Sequence, residues 1–295
     1  MSAGDVSAAP AILNVLENRA RREEAAALVS AAGEGAGHVI GITGPPGSGK
    51  STLLSALARA WRAQRRTVAV LAVDPSSKRS GGALLGDRAR IEHDPADRGL
   101  FIRSMAAGER LGGLAPATRA AATVLAAAFD VVVIETVGVG QSETEVADIA
   151  DTVGVVVPPA AGDALQYMKA GIMEVPDVIV ATKADLGTTP GLDTLGVPVV
   201  PTSPPQGVDE LIAALDAHRA TLDLPATRLK ARRLGALADF VSEYGEAGLR
   251  ALGGRRAARA FLAAQDPSSD GPTLMRRLEE RRSSAQASED RHGGR

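Results

Sequence analysis

The chain has 295 residues, is 45% hydrophobic and 23% charged, and carries a formal net charge of −2, a globular composition that argues against a nucleic-acid binder with a strongly basic face. It holds no Cys and 4 His, which excludes disulfides, thiolate metal centres and a Cys nucleophile and argues against an all-imidazole cluster. No apolar run approaches the ~20 residues needed to span a bilayer, and the opening MSAGDVSAAP lacks the basic-then-apolar pattern of a secretory signal. A cytoplasmic protein with no membrane and no nucleic-acid partner is expected.

Residues 10–32 read as one helix ended by Gly33, Gly35 and Gly37, so an N-terminal helical extension is expected over 1–36. Apolar strand-like runs follow at 38–44, 67–74, 100–104, 130–138, 153–158, 177–185 and 197–203, with helices read at 51–64, 114–128 and 208–222. Strands that are apolar on every residue and alternate with helices predict an α/β fold, a mostly parallel central sheet with helices on both faces, over 37–224. From about Arg228 the pattern turns helical and charged, with breaks at Gly253-Gly254 and Asp266-Pro267. A C-terminal helical extension is expected over 225–282 and a disordered tail over 283–295. Aromatics are 2% of the chain, so the core must be built from Ala, Val, Leu and Ile.

The segment Gly44, Pro45, Pro46, Gly47, Ser48, Gly49, Lys50, Ser51 fits G-x-x-x-x-G-K-[ST], with Thr52 next to it in the helix that the loop opens. It follows a strand, as a P-loop NTPase requires: glycines let backbone N–H groups converge on phosphates, and the helix dipole favours the negative charge. Only five of the 33 basic residues are Lys, so a Lys inside a motif carries information. Lys50 is assigned to the β- and γ-phosphate oxygens, and is expected to face solvent without nucleotide. Ser51 is assigned to Mg²⁺ through its hydroxyl.

Asp74 ends the second strand and Glu135 falls at the end of the DVVVIE run. Both are candidate Mg²⁺ carboxylates, since the ion on a nucleotide takes one or two. The plainer alternative for Asp74 is a turn cap before Pro75 and Ser76. A charge directly after VVVI has fewer structural excuses. Gly138, in ETVGVGQSE, fits a backbone donor to the γ-phosphate, whose loss would release the loop. Gln141 fits either a water-orienting residue or a solvated loop side chain. Asp87 lies in GGALLGDRAR, near the γ-phosphate in this scheme or in a surface ion pair.

TKAD at 182–185 follows a strand. Asp185 can accept two hydrogen bonds from the N1–H and 2-amino group of guanine, a donor pair that adenine lacks. Lys183 would lay its stem over the base. Thr182 stands where the usual guanine motif has Asn, which removes one amide contact. Thr202 and Ser203 fit a last base-contacting loop.

Assembled, GITGPPGSGKSTL, VDPSS, SGGALLGDRAR, LGGLAPATR, FDVVVIETVGVGQSE and AGDALQYMKAGIMEVPDVIVATKADL resemble the methylmalonyl-CoA mutase-associated GTPases (MeaB type, also described as ArgK or LAO/AO transport ATPases), of the SIMIBI class of P-loop NTPases. The resemblance runs from about Ile40 to Leu222. It implies a GTPase that hydrolyses GTP to GDP and phosphate and chaperones an adenosylcobalamin-dependent acyl-CoA mutase, gating cofactor loading and protecting or reactivating the enzyme. By matched motif it makes Lys50, Ser51, Asp74, Asp87 and Glu135 the Mg²⁺-phosphate and catalytic set, and Lys183 with Asp185 the base set. It also implies a partner-sensing segment at 161–174 and a homodimer formed through the C-terminal helices, although both terminal extensions depart from the family pattern. Three other readings are a transport-linked ATPase or small-molecule kinase, a nickel metallochaperone GTPase, and a non-hydrolysing interaction module. The second wants Cys or clustered His, which this chain lacks.

Overall fold

Seven short runs rich in Val, Ile and Ala become the strands of one sheet: β1 His38–Thr43, β2 Val68–Asp74, β3 Leu100–Ala106, β4 Val131–Thr136, β5 Thr152–Val157, β6 Val178–Thr182 and β7 Val199–Thr202. The structure is a computed structural model that describes residues 6–74, 91–94, 96–106, 114–136, 145–159, 176–187 and 190–292. The strand order is β3-β2-β4-β1-β5-β6-β7, and every pairing is parallel. Every residue of β1, β4, β5 and β6 is buried, as a parallel sheet covered on both sides demands.

Successive side chains point to opposite faces. Along β4, Val132 and Ile134 enter one core and Val131 and Val133 the other. The first core is closed by α1 (Ala9–Glu17), α2 (Arg22–Ala32) and α4 (Pro116–Ala126), through Leu13, Leu16 and Leu125. The second is closed by α3 (Lys50–Ala63) and α5 (Val208–Thr221), through Leu53, Leu57, Trp61, Leu211 and Leu215. A third, smaller core joins α6 (Leu224–Ala251), α7 (Gly254–Ala263) and α8 (Gly271–His292) around Leu237, Phe240, Leu262, Leu274 and Leu278. The expected breaks fall on either side of α7, with Gly253 in the left-handed region at φ 85° just before it.

Two expectations are corrected. The N-terminal segment is two helices and not one. Asn18 adopts φ −91°, ψ 105°, and its side-chain oxygen accepts from the Ala20 N–H at 3.0 Å, a local bond that competes with helix continuation. The tail expected to be disordered from 283 is helical as far as His292. Leu274 and Leu278 anchor that helix in the third core, and the Arg282 guanidinium lies 3.9 Å from the Tyr244 ring centroid. Once nucleated there, the helix propagates through Ala, Gln and Glu, which favour it. Among the described residues no helix is long and apolar enough to cross a membrane.

Candidate functional site

The chain leaves β1 toward β2 on one side and later returns as β5 on the other. The carboxyl end of β1 is therefore the crevice at which ligands of such sheets bind. Gly44 begins the turn there with φ 145°, and a Cβ would lie 2.4 Å from the Val156 carbonyl oxygen of β5. Gly47 and Gly49 also have positive φ, 74° and 96°, with open space where a Cβ would stand. The loop thus needs glycine for conformation at all three positions and for close packing at the first. Gly49 caps α3, whose first residue is Lys50.

Lys50 is not the solvent-facing charge expected. It is 7% exposed, and its Nζ donates to the carbonyl oxygens of Gly44 at 2.7 Å and Pro45 at 3.1 Å. The ammonium thus folds back over its own loop. Ser51 is half-buried in the first turn of α3, and its carbonyl accepts from Ser55 Oγ at 2.9 Å. Pro46 and Thr52 are exposed, whereas Ser48 is fully buried.

The acidic strand ends converge on the same edge. Glu135 of β4 is buried and lies in register with Ile42 of β1 and Ala72 of β2. Asp74 is the last residue of β2, one beyond the Val73–Thr136 pair. Its side chain lies outside the described residues, as do Asp87, Gly138, Gln141 and the 161–174 segment. Two hydroxyls that the motif reading did not single out complete this edge: Thr136 Oγ1 donates to Thr43 Oγ1 at 2.9 Å, both buried, tying β4 to β1 one residue before the loop. Their signal in the sequence was a Thr closing each apolar run.

The TKAD segment is bonded directly to the phosphate loop. Thr182 is buried, and its hydroxyl donates to the Ser48 carbonyl at 2.7 Å. Lys183 sits in the left-handed region at φ 54°, and its Nζ donates to the Gly47 carbonyl at 3.2 Å. Asp185, exposed in the turn that follows, accepts from Ser203 Oγ at 2.6 Å. Thr202 pairs with Thr182 across β6 and β7. The structure therefore brings Gly44 to Thr52, Glu135, the end of β2, and both the TKAD and Thr202–Ser203 segments to one edge of the sheet.

This edge fits a magnesium nucleotide. Lys50 and Lys183 both donate to carbonyls of the loop, bonds that phosphate oxygens can replace. The buried Ser48 Oγ and Thr202 Oγ1 have no hydrogen-bond partner among the described residues, which suits a site completed by a polar ligand. No group of three or more His, Asp or Glu able to hold a metal occurs among the described residues. A cation here would take its remaining ligands from phosphate and water, as Mg²⁺ does.

Comparison with known proteins agrees with this geometry. A Pyrococcus horikoshii protein named as a GTPase is 52% identical over 152 residues, 51% of this chain and 48% of its own length. The mitochondrial methylmalonic aciduria type A homolog of Mus musculus is 44% identical over 147 residues, 50% of this chain and 35% of its own length. This chain spans about half the length or less of these two curated relatives. The crystal structure of an LAO/AO transport system kinase superposes with a TM-score of 0.61 at 27% identity, covering 94% of this chain and 93% of that one. Residues 9–193, more than half of the chain and the whole of the phosphate edge up to TKAD, match one family description, and the chain belongs to that family, the methylmalonyl Co-A mutase-associated GTPase MeaB.

Proposed function

We propose that the protein hydrolyses GTP to GDP and phosphate, and that it uses the cycle as a G-protein chaperone of an adenosylcobalamin-dependent acyl-CoA mutase, gating cofactor loading and protecting or reactivating the enzyme. The observation that carries this reading is the bonding of the TKAD segment to the phosphate loop, through Thr182 to Ser48 and Lys183 to Gly47. A base-recognising carboxylate and a phosphate cradle are thereby held at fixed separation, as recognition of a whole guanine nucleotide requires. The family membership supports the mutase as partner.

In this mechanism the loop N–H groups and the amino terminus of α3 bind the phosphates, and Lys50 swings from the Gly44 and Pro45 carbonyls onto the β- and γ-phosphate oxygens. Ser51, Asp74 and Glu135 would hold Mg²⁺, whose charge offsets that developing on the transferred phosphoryl group. Asp185 accepts from the guanine N1–H and 2-amino group while Ser203 fixes its carboxylate, and Lys183 covers the base. Gly138 donates its N–H to the γ-phosphate, and Asp87 completes the catalytic set. A homodimer through α6–α8 and a cytoplasmic location belong to the same proposal.

Phosphoryl transfer depends on positioning and charge neutralisation, and the sequence offers no evident arginine finger and no glutamine directly after Gly138. Slow intrinsic hydrolysis is therefore expected, raised by the mutase about 10- to 100-fold, or about 1.4–2.8 kcal/mol off the barrier. Steady-state phosphate release is measured with and without mutase, for wild type and Glu135→Ala. The variant should retain GTP binding and lose most of the stimulation. Fast hydrolysis by the isolated protein, indifferent to any acyl-CoA mutase, overturns the chaperone role.

A further inference from the structure

Arg119 of α4 is 8% exposed and joins three separate parts of the chain. Its Nη1 donates to the Leu114 carbonyl at 2.7 Å and to Glu145 Oε2 at 3.2 Å, and its Nε donates to Asp239 Oδ1 of α6 at 2.8 Å. Glu145 Oε2 also accepts from the Leu114 N–H at 2.6 Å. A buried guanidinium with a carboxylate on each side is costly to misplace, because losing one partner leaves charge uncompensated.

The segment that Glu145 opens lies against the strand that feeds the phosphate loop. Val146 is fully buried, and a Cβ on Gly41 of β1 would stand 2.9 Å from its Cγ2. Asp151 closes the segment: its carboxylate accepts from the Val39 N–H at 2.9 Å and from Arg228 Nη2 of α6 at 3.0 Å. Between them, Asp148 is opposed by Lys230 of α6, Arg259 of α7 and Arg119. Residues 145–151 are thus packed on β1 and fastened to α6 at both ends, once through Arg119–Asp239 and once through Arg228.

We infer that this doubly fastened segment couples the occupancy of the nucleotide site to the C-terminal helical unit α6–α8, with Arg119 as the positioning residue that carries the coupling. The inference rests on the proposal that the phosphate edge binds guanine nucleotide. Glu145 is ten residues beyond Glu135 in the chain, and β1 bears on Val146 directly. Tight packing makes such an element switch between arrangements and not deform smoothly. Linkage is reciprocal: if nucleotide biases α6, the arrangement of α6 biases nucleotide affinity, so weakening the hold on α6 must change that affinity.

The test uses the full chain as wild type, Asp239→Asn and Arg228→Gln, with GDP and a non-hydrolysable GTP analogue. Affinities are taken from fluorescence titration, and hydrogen exchange is followed in peptides covering 236–244. In wild type, α6 should exchange at different rates in the two nucleotide states. In Asp239→Asn that difference should shrink, and the analogue-to-GDP affinity ratio should shift about fivefold or more, the lower range of measured couplings. A purely structural role would lower stability and leave the ratio alone. Should Asp239→Asn fail to fold by circular dichroism, Arg228→Gln is held to the same two criteria. Equal exchange of wild-type α6 in both states, or an unchanged difference and ratio in the folded variant, overturns the coupling while the nucleotide proposal stands. Failure of wild type to bind either nucleotide removes both.

Discussion

The Thr182 hydroxyl reaches from the end of β6 to donate to the Ser48 carbonyl at 2.7 Å, inside the phosphate loop. Thr182 stands where a guanine motif usually has Asn, so by sequence alone it is a lost base contact. In the fold its hydroxyl is committed to the loop and not to the base, and Lys183 adds a second bond to Gly47 at 3.2 Å. In the proposed function, base recognition then falls to Asp185, Lys183 and the β7 loop.

Thr182→Val keeps the shape and removes the donor. A typical hydrogen bond contributes about 1 kcal/mol net, so nucleotide affinity should fall about fivefold with the fold intact. Fluorescence titration with labelled GDP checks this; unchanged affinity would mean that the bond plays no part in positioning the loop.

Lys50→Ala should abolish or severely weaken nucleotide binding and hydrolysis. It also strips a donor from the Gly44 and Pro45 carbonyls. The bond to Gly44 is buried, so stability should also fall, by about 1–3 kcal/mol for an acceptor left without its donor. Thermal unfolding and a GTPase assay on the same preparation separate the two effects. Wild-type hydrolysis in the variant is incompatible with the phosphate-loop assignment.

Asp185→Asn exchanges a two-acceptor carboxylate for an amide that donates on one side. Preference should move from GTP toward xanthosine triphosphate, whose position 2 carries an acceptor. The remaining amide oxygen can still accept from Ser203, so the loop should keep its shape. Competition between the two nucleotides against labelled GDP reads the change; unaltered GTP affinity counts against TKAD as the base reader.

His38, at the opposite end of β1 from the phosphate loop, is 1% exposed and its Nε2 lies 2.8 Å from Thr152 Oγ1, which in turn lies 2.9 Å from His218 Nδ1. Burial, with Arg219 nearby, lowers its pKa from 6.5 to about 4. Above pH 6.5 the ring is neutral in both folded and unfolded chains. As pH falls toward 4 the unfolded chain takes up the proton first, so stability is lost across that window, by about 3 kcal/mol in total. Urea midpoints measured between pH 7.5 and 4.5 should fall for wild type and fall less for His38→Gln. Parallel curves for the two proteins would exclude His38 as a source of acid sensitivity.

Much of this protein was readable from residue order alone, for a physical reason. A strand buried on both faces must be apolar along most of its length, so β1, β4 and β5 announce themselves as HVIGIT, VVVIET and TVGVVV, with their polar residues at or near the ends. A loop that wraps phosphates needs positive φ at set intervals, so Gly44, Gly47 and Gly49 with Lys50 mark the ligand edge by spacing. Those are local requirements, and each residue meets its own. Pairwise choices between distant segments left no such mark. That Lys50 turns inward depends on carbonyls placed by the loop's path, and that Thr182 holds Ser48 depends on β6 ending beside it, 134 residues away in the chain. Arg119 closes the LGGLAPATR run, but nothing in that run names its partners; tertiary packing sets Glu145 and Asp239 on either side of it. The polar stretch after 282 has no apolar pattern of its own; Leu278 and the Arg282–Tyr244 contact upstream make it helical. A single chain's order shows what each residue needs, and only the fold decides which neighbour supplies it.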